Sequence, residues 1–354
     1  MKGRVVALLE EPGRPAMAAL SDRGRLLDLF VDPPEDDPAP RVEEIRAARV
    51  TRKAGGMGAV FLDIGDGAEG FLKGAGARDL APGDRLLVQV TRHAEGAKAV
   101  PVTDEPLYKG RYAILTPHAP GVNVSRRIRD EEEAARLKGA AEAALAEAGV
   151  ASGAILRTLA EGVPDETVFD DVAALAALLA EARAAPEAPG LVVAAPDAET
   201  RAWREWAEPE PDEVIRGDAR LWDDLGLWDA IAALFDARAP LAGGAWMPIE
   251  PTSALVAVDV NTGGDLSPAA GLKADLAALE ALPRQLLLRG LGGQIVVDLA
   301  PVGKRERPRL ETALKRALRD DPVETQIIGW TPLGHLELTR ARERRPLTQL
   351  MARP

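Results

Sequence analysis

ALVAVDV (254–260) and GGQIVVDL (292–299) are two short apolar runs, and each carries one carboxylate near its end, Asp259 and Asp298. Val and Ile dominate both, and neither is long enough for a typical helix, so both read as buried strands. Between them, 268–289 is rich in Ala and Leu and carries Lys273, Asp275, Glu280, Arg284 and Arg289. That pattern predicts a helix with Ser267 as N-cap, Pro268 at its first position and Gly290 closing it. Gly292-Gly293 then turns the chain into the second strand. Strand, helix, strand is a crossover unit, which implies two parallel neighbours in one sheet and an α/β architecture.

Both aspartates then fall at the C-terminal strand ends, the edge where open α/β sheets bind ligands. Two carboxylates meeting there repel unless a cation lies between them, and hard oxygen donors suit Mg²⁺ or Mn²⁺. Asn261, two residues beyond Asp259, can add an amide oxygen. The other reading of the same residues is that each Asp caps a loop.

The chain has 354 residues, long enough for two or more domains, and a formal net charge of −12. Its acidity hides a basic segment: residues 284–354 carry 14 Lys or Arg against 8 Asp or Glu. That segment fits a polyanion docking near the two aspartates, or a salt-bridged helix face. There is no cysteine, which excludes disulfides and thiolate zinc sites. The start, MKGRVVALLEEPGR, does not read as a signal peptide, and no apolar run reaches membrane-spanning length. A cytoplasmic protein is the expectation.

In chain order, residues 3–30 read as a hairpin around SDRG, and DPPEDDPAP (32–40) as an acidic connector. Residues 41–105 hold five strand-like runs separated by Gly-rich turns, which suggests a five-stranded OB-type barrel. Phe61 and Phe71 lie on successive runs with Lys53, Lys73 and Lys98 nearby. Single-stranded nucleic acid needs such aromatics and cations, although the pattern alone also reads both rings as barrel core. Residues 106–190 alternate strands and helices and carry Arg126-Arg127 and Arg157-Thr158; a guanidinium beside a hydroxyl can grip a phosphate. Residues 198–240 read as helical and acidic, with tryptophans that pack, and PLTQLMARP (346–354) as a frayed tail.

AVDVNTGG (257–264), RQLLLRGLGGQIVVDL (284–299) and PLGHLELTRAR (332–342), preceded in order by FLDIG (61–65), GFL (70–72), SRRI (125–128) and ILRT (155–158), together resemble the ribonuclease E/G family of single-strand-specific RNA endonucleases. The resemblance covers about residues 3–345. It implies a ribonuclease-H-like subdomain from 1–37 and 191–240, an inserted OB-fold RNA-binding domain at 38–105, a 5′-phosphate sensor at 106–190 and a deoxyribonuclease-I-like catalytic subdomain at 241–354. Asp259 and Asp298 look like the Mg²⁺ ligands, and Asn261 their catalytic companion. Arg157 and Thr158 look like the 5′-phosphate contacts, and Phe61, Phe71, Lys98, Arg126 and Arg127 like RNA contacts. The implied reaction is hydrolysis that leaves 5′-phosphate and 3′-hydroxyl ends, in ribosomal RNA processing or RNA turnover.

The sequence departs from that family in four places. Asp298 is followed by Leu299-Ala300-Pro301-Val302, without the family's nearby second carboxylate. Pro283 stands inside the intervening helix and should kink it. Asp275 stands where the family has Asn. The thiolate zinc link is missing with the cysteines, so a monomer or weak homodimer is expected rather than a zinc-linked tetramer. The lost carboxylate and Pro283 motivate a competing expectation, an RNA-binding protein that keeps the fold without turnover.

Overall fold

VVALL and MAALS place apolar residues on both sheet faces, and in the computed structural model they pair as β1 (Arg4–Leu9) and β2 (Met17–Asp22). β2 and β3 (Arg25–Val31) form the hairpin expected around SDRG, and β1 beside β2 extends it to a meander. Arg23 (φ 49°) and Gly24 (φ 78°) form the two-residue loop between β2 and β3, both in the left-handed region that such loops require. The structure describes residues 3–354 apart from 95, 97, 185–187, 266 and 268. It divides into two units, Met1–Glu35 with Pro211–Pro354 and Asp36–Glu210, and the first division falls inside DPPEDDPAP.

The second unit begins with the barrel. β4 (Ile45–Ala54), β5 (Ala59–Asp63), β6 (Glu69–Lys73), β7 (Arg85–Val90) and β8 (Val100–Thr103) pair in the order β4–β5–β6–β8–β7, and β4 against β7 closes the ring. Closure rests on the length of β4: Ile45–Arg49 serves β7 and Arg49–Ala54 serves β5. Val50, Val60, Leu62, Leu72, Val88 and Val102 fill the interior, and closing the ring removes the sheet edges. The expected five-stranded OB-type barrel is therefore present.

Beyond it, β9 (Tyr108–Lys109), β10 (Ala113–Thr116), β11 (Val122–Val124), α1 (Glu131–Glu147), β12 (Gly153–Leu156) and α2 (Asp165–Arg183) build a small sheet, in the order β11–β12–β10–β9, packed with both helices. Asp130 caps α1 by accepting the N–H groups of Glu132 and Glu133. β13 (Gly190–Val193) pairs antiparallel with β4, and α3 (Ala198–Glu205) is tied to the barrel by Arg204, whose guanidinium meets Glu43 at 2.8 Å. These contacts correct the expected boundary: 191–210 belongs with the barrel, not with the first subdomain.

The chain returns to the first unit at β14 (Glu213–Gly217), parallel to β1, giving the sheet β14–β1–β2–β3. The helical expectation for 198–240 missed this strand. α4 (Ala219–Asp224) and α5 (Leu227–Ala232) bring Trp222, 0% exposed, and Ile231 onto the sheet core. The tryptophans pack, as read.

β15 (Arg238–Pro240), β16 (Trp246–Pro251), β17 (Val256–Asp259), α6 (Ala270–Arg289), β18 (Gly293–Asp298), α7 (Arg307–Ala317), β19 (Thr325–Trp330) and β20 (Leu336–Arg340) form the last sheet, in the order β15–β16–β17–β18–β20–β19. The crossover reading holds, since β17 and β18 are parallel. Ala274, Ala278, Leu279, Leu282 and Leu286 lie one to four residues apart along α6 and bury against Val256, Val258, Ile295 and Val297. Each buried Leu there is worth roughly 1.5–3 kcal/mol.

The helix runs unbroken through Pro283 and closes at Gly290, φ 66°. Its start differs from expectation. Ala269 occupies the N-cap with no side-chain bond, Ser267 does not cap it, and Pro268 lies outside the described residues. The tail also differs. α8 (Leu347–Leu350) buries Leu347 in the core around Trp222, and Arg353 makes a two-bonded pair with Asp236 at 2.9 and 3.0 Å. An apolar anchor and a terminal ion pair dock a segment that polarity alone marks as frayed.

Candidate active site

Asp259 and Asp298 are register partners across the β17–β18 ladder, each at the last residue of its strand. In a parallel ladder, facing residues stand about 4.8 Å apart and point to the same side. Val258 and Val297, one residue earlier, point to the opposite face and are buried, which sends both carboxylates to solvent. The apolar alternation that makes these segments strands therefore also pairs the two acids.

Three neighbours shape the pair. Asn261 is fixed by a two-way backbone bridge with Trp246, and its Nδ2 donates to Asp259 Oδ2 at 2.9 Å. His335 lies in the β19–β20 connection, where its N–H donates to Thr331 Oγ1 and its carbonyl accepts from the Thr331 N–H. Its Nε2 stands 3.7 Å from Asp298 Oδ1. Asp275 of α6 lies behind the site, fully buried, and its Oδ1 accepts the Ala300 N–H at 2.8 Å. Burial pushes the Asp275 carboxyl up to about 7, against that backbone bond and with help from the negative charge of Asp298.

His335 and Asp275 were not read as site residues. His335 sits in the quoted PLGHLELTRAR, but nothing in the sequence says which strand its turn borders. Arg340 of the same motif is structural: its guanidinium forms a buried pair with Asp321 at 2.6 and 3.0 Å and also bonds Thr325.

The donor set tests whether a cation fits. Two exposed carboxylates in register, with a carboxamide and an imidazole beside them, suit a hard divalent ion that keeps several waters and takes one or two protein carboxylates. Among the described residues, no group of three or more His, Asp or Glu side chains forms a ready-made cage. The fit is to an ion completed by water and substrate oxygens.

The second unit brings other motifs together. β11 and β12 run parallel, so SRRI and ILRT leave the sheet side by side. Ser125 N–H donates to the Leu156 carbonyl, and the Ser125 and Thr158 hydroxyls lie 2.9 Å apart. Arg126 and Arg127 are exposed beside them. Arg157 turns the other way. Its guanidinium donates to the carbonyls of Gly110 and Arg111 at 3.1 Å each and of Arg204 at 3.0 Å. Burial, then the neighbouring Arg204 charge, lowers its pKa from the usual value. Asp171 clamps the same segment by accepting the N–H groups of Arg111, Tyr112 and Ala113.

On the barrel, Phe61 and Phe71 are register partners with ring centroids 5.2 Å apart, and both are half-buried. Neither belongs to the buried interior cluster, so the core alternative for these rings is not what the structure shows. Lys98 is exposed in the approach to β8, just before Pro101, the register partner of Phe71.

A family model described as the Ribonuclease E/G family matches residues 108–225 and 212–343. The chain is 28% identical to Ribonuclease G of Salmonella typhimurium over 88% of its own length and 74% of that protein. It is 29% identical to Ribonuclease E of Synechocystis sp. over 84% of its length, and 30% identical to Ribonuclease E of Nostoc sp. over 83%. Those two matches span about half of the Ribonuclease E chains, 51% and 50%. With the model matching most of the sequence, the chain belongs to the ribonuclease E/G family.

Proposed function

We propose that the protein is a divalent-cation-dependent endoribonuclease that cleaves single-stranded RNA to leave 5′-phosphate and 3′-hydroxyl ends, in ribosomal RNA processing or RNA turnover. The observation that carries this reading is the register pairing of Asp259 with Asp298 at two parallel strand ends. In this reading the two carboxylates hold Mg²⁺ or Mn²⁺, which when bound supplies charge for the phosphate and acidifies water. Asn261 holds one oxygen of Asp259 in place, and its second Nδ2 proton is available to a phosphate oxygen. Asp275 anchors the turn after Asp298 through Ala300.

The other assignments follow from the same reading. The β14–β1–β2–β3 sheet, an antiparallel meander with one parallel neighbour, supports a ribonuclease-H-like subdomain. The β15–β20 sheet is read as the deoxyribonuclease-I-like catalytic subdomain. The Phe61–Phe71 face, with Lys98, is the single-strand surface of the barrel. Thr158, beside Ser125, is read as the 5′-phosphate contact with Arg126 and Arg127 as RNA contacts next to it; Arg157, expected to touch the phosphate, gives three donors to carbonyls and is read instead as holding the frame. The protein acts in the cytoplasm as a monomer or weak homodimer without zinc; among the described residues, no helix is long and apolar enough to cross a membrane.

The test is cleavage of a 5′-labelled, AU-rich single-stranded RNA with Mg²⁺ and with EDTA, by the wild type and Asp298→Asn. Internal cuts that need the metal and vanish in the variant are expected. Tight binding without cuts in either protein would leave an RNA-binding module that has lost turnover.

A further inference from the structure

The outer surface of the barrel carries a row set by strand register. Arg52 of β4 faces Phe61 of β5, Phe61 faces Phe71 of β6, and Phe71 faces Pro101 of β8. A bulge creates the first of these pairings. The β4–β5 register shifts between Val50 and Arg52, and the displaced Thr51 closes the gap by donating its hydroxyl to the Phe61 carbonyl at 3.1 Å. Bulges re-aim side chains, and this one brings the Arg52 guanidinium carbon 3.5 Å from the centroid of the Phe61 ring, a stacking distance. Glu69 then tethers the guanidinium: Arg52 Nη2 donates to both of its oxygens at 2.9 and 3.0 Å. Glu69 lies two residues before Phe71 on β6 and so projects from the same face. The Arg52 side chain remains 55% exposed.

We propose that Arg52 is a nucleobase-stacking residue, the outer shelf of the aromatic row, tethered by Glu69. The proposal rests on the single-stranded RNA reading of this face. A guanidinium plane accepts a base as an aromatic ring does, and its charge also meets the phosphate beside that base. The shelf covers the outer face of Phe61, so a nucleotide at this end of the row stacks on Arg52, while Phe71 serves the other end.

The experiment is fluorescence anisotropy of a labelled ten-nucleotide uridine RNA with the full chain in EDTA, which prevents cleavage. Wild type is compared with Arg52→Ala, Arg52→Lys and Phe71→Ala, and thermal unfolding checks that each is folded. Arg52→Ala should weaken binding by about fivefold or more, and Arg52→Lys should regain less than half of that loss, because Lys keeps the charge without the plane. Binding by Arg52→Ala as tight as wild type or tighter would make the guanidinium a mere cover and overturn the proposal. So would an Arg52→Lys variant that binds like wild type, since charge alone would then suffice. If Phe71→Ala weakens binding and Arg52→Ala does not, only the shelf fails. If Phe71→Ala also has no effect, the single-strand reading of this face fails and takes the shelf with it.

Discussion

The two-aspartate edge and the Arg157 corner use charged side chains in opposite ways. Asp259 and Asp298 end their strands in solvent, touched by one carboxamide and one imidazole. Arg157 follows directly on the end of its strand, yet three of the five N–H groups of its guanidinium are given to backbone carbonyls. At the first site most of the carboxylate oxygens face solvent; at the second, most of the guanidinium donors are bound to the chain. A motif residue at a strand end can therefore serve chemistry or frame, and the surrounding backbone decides which.

The strongest test of this contrast is Asp259→Asn. It should reduce RNA cleavage at least about a thousandfold, because the cation would lose half of its anionic protein ligands and its fixed position between them. The melting temperature should hold or rise slightly, since one of two facing negative charges is gone. A large loss of stability alongside the lost activity would show that the pair is structural, and the contrast would collapse.

Asp275 sharpens the comparison from inside the same site, as a carboxyl turned away from ligand. An unfolded Asp titrates near 3.9, whereas burial pushes this one up to about 7. Its folded pKa is raised, so between about pH 4 and 7 the unfolded chain gives up a proton that the folded chain keeps. Stability from this group is intact below that window and falls as pH rises through it, by on the order of 4 kcal/mol. Asp275→Asn should remove the fall, so the variant gains in urea midpoint on going from pH 5 to pH 8 relative to wild type. Parallel profiles for the two proteins would refute the raised pKa.

Much of this was readable before any coordinates. The β17–α6–β18 crossover follows from two Val-rich runs around an Ala/Leu helix, and the barrel from five short runs with Gly turns. Short-range pattern encodes both. What escaped depends on pairing between distant segments. EVIRG (213–217) is too polar to announce itself as a strand and becomes one by pairing with β1. The Gly190–Val193 strand looks like the start of the next subdomain until β4 claims it. Within the sites, the pairing of Asp259 with Asp298 is legible because each stands at the end of an apolar run. His335 was missed because its link to Asp298 comes from the β18–β20 register, and the Arg157 carbonyl cage was missed because carbonyl acceptors leave no mark in sequence.

A smaller effect separates the frame from the proposed sensor. Arg157→Ala strips the partner from three carbonyls and should cost about 2 kcal/mol in denaturant unfolding. Thr158→Val leaves those bonds in place and removes only the hydroxyl beside Ser125. It should stay within about 1 kcal/mol of wild type while reducing the preference for 5′-monophosphorylated over 5′-hydroxyl RNA. If Arg157→Ala unfolds like wild type and Thr158→Val keeps the full preference, the two residues have exchanged the roles assigned here.

The smallest expected change is at His335. Its imidazole reaches Asp298 from a turn that Thr331 locks on both sides, so its action on chemistry passes through the orientation of that carboxylate. Groups that orient metal-site carboxylates commonly alter metal affinity by tenfold or more, and the 3.7 Å separation argues for the low end. His335→Ala should therefore raise the Mg²⁺ concentration needed for half-maximal cleavage by about tenfold and leave the rate at saturating Mg²⁺ close to wild type. A rate that stays low at saturating metal would place His335 in contact with the reacting groups, and the exposed edge would then hold a fourth working side chain beside Asp259, Asn261 and Asp298.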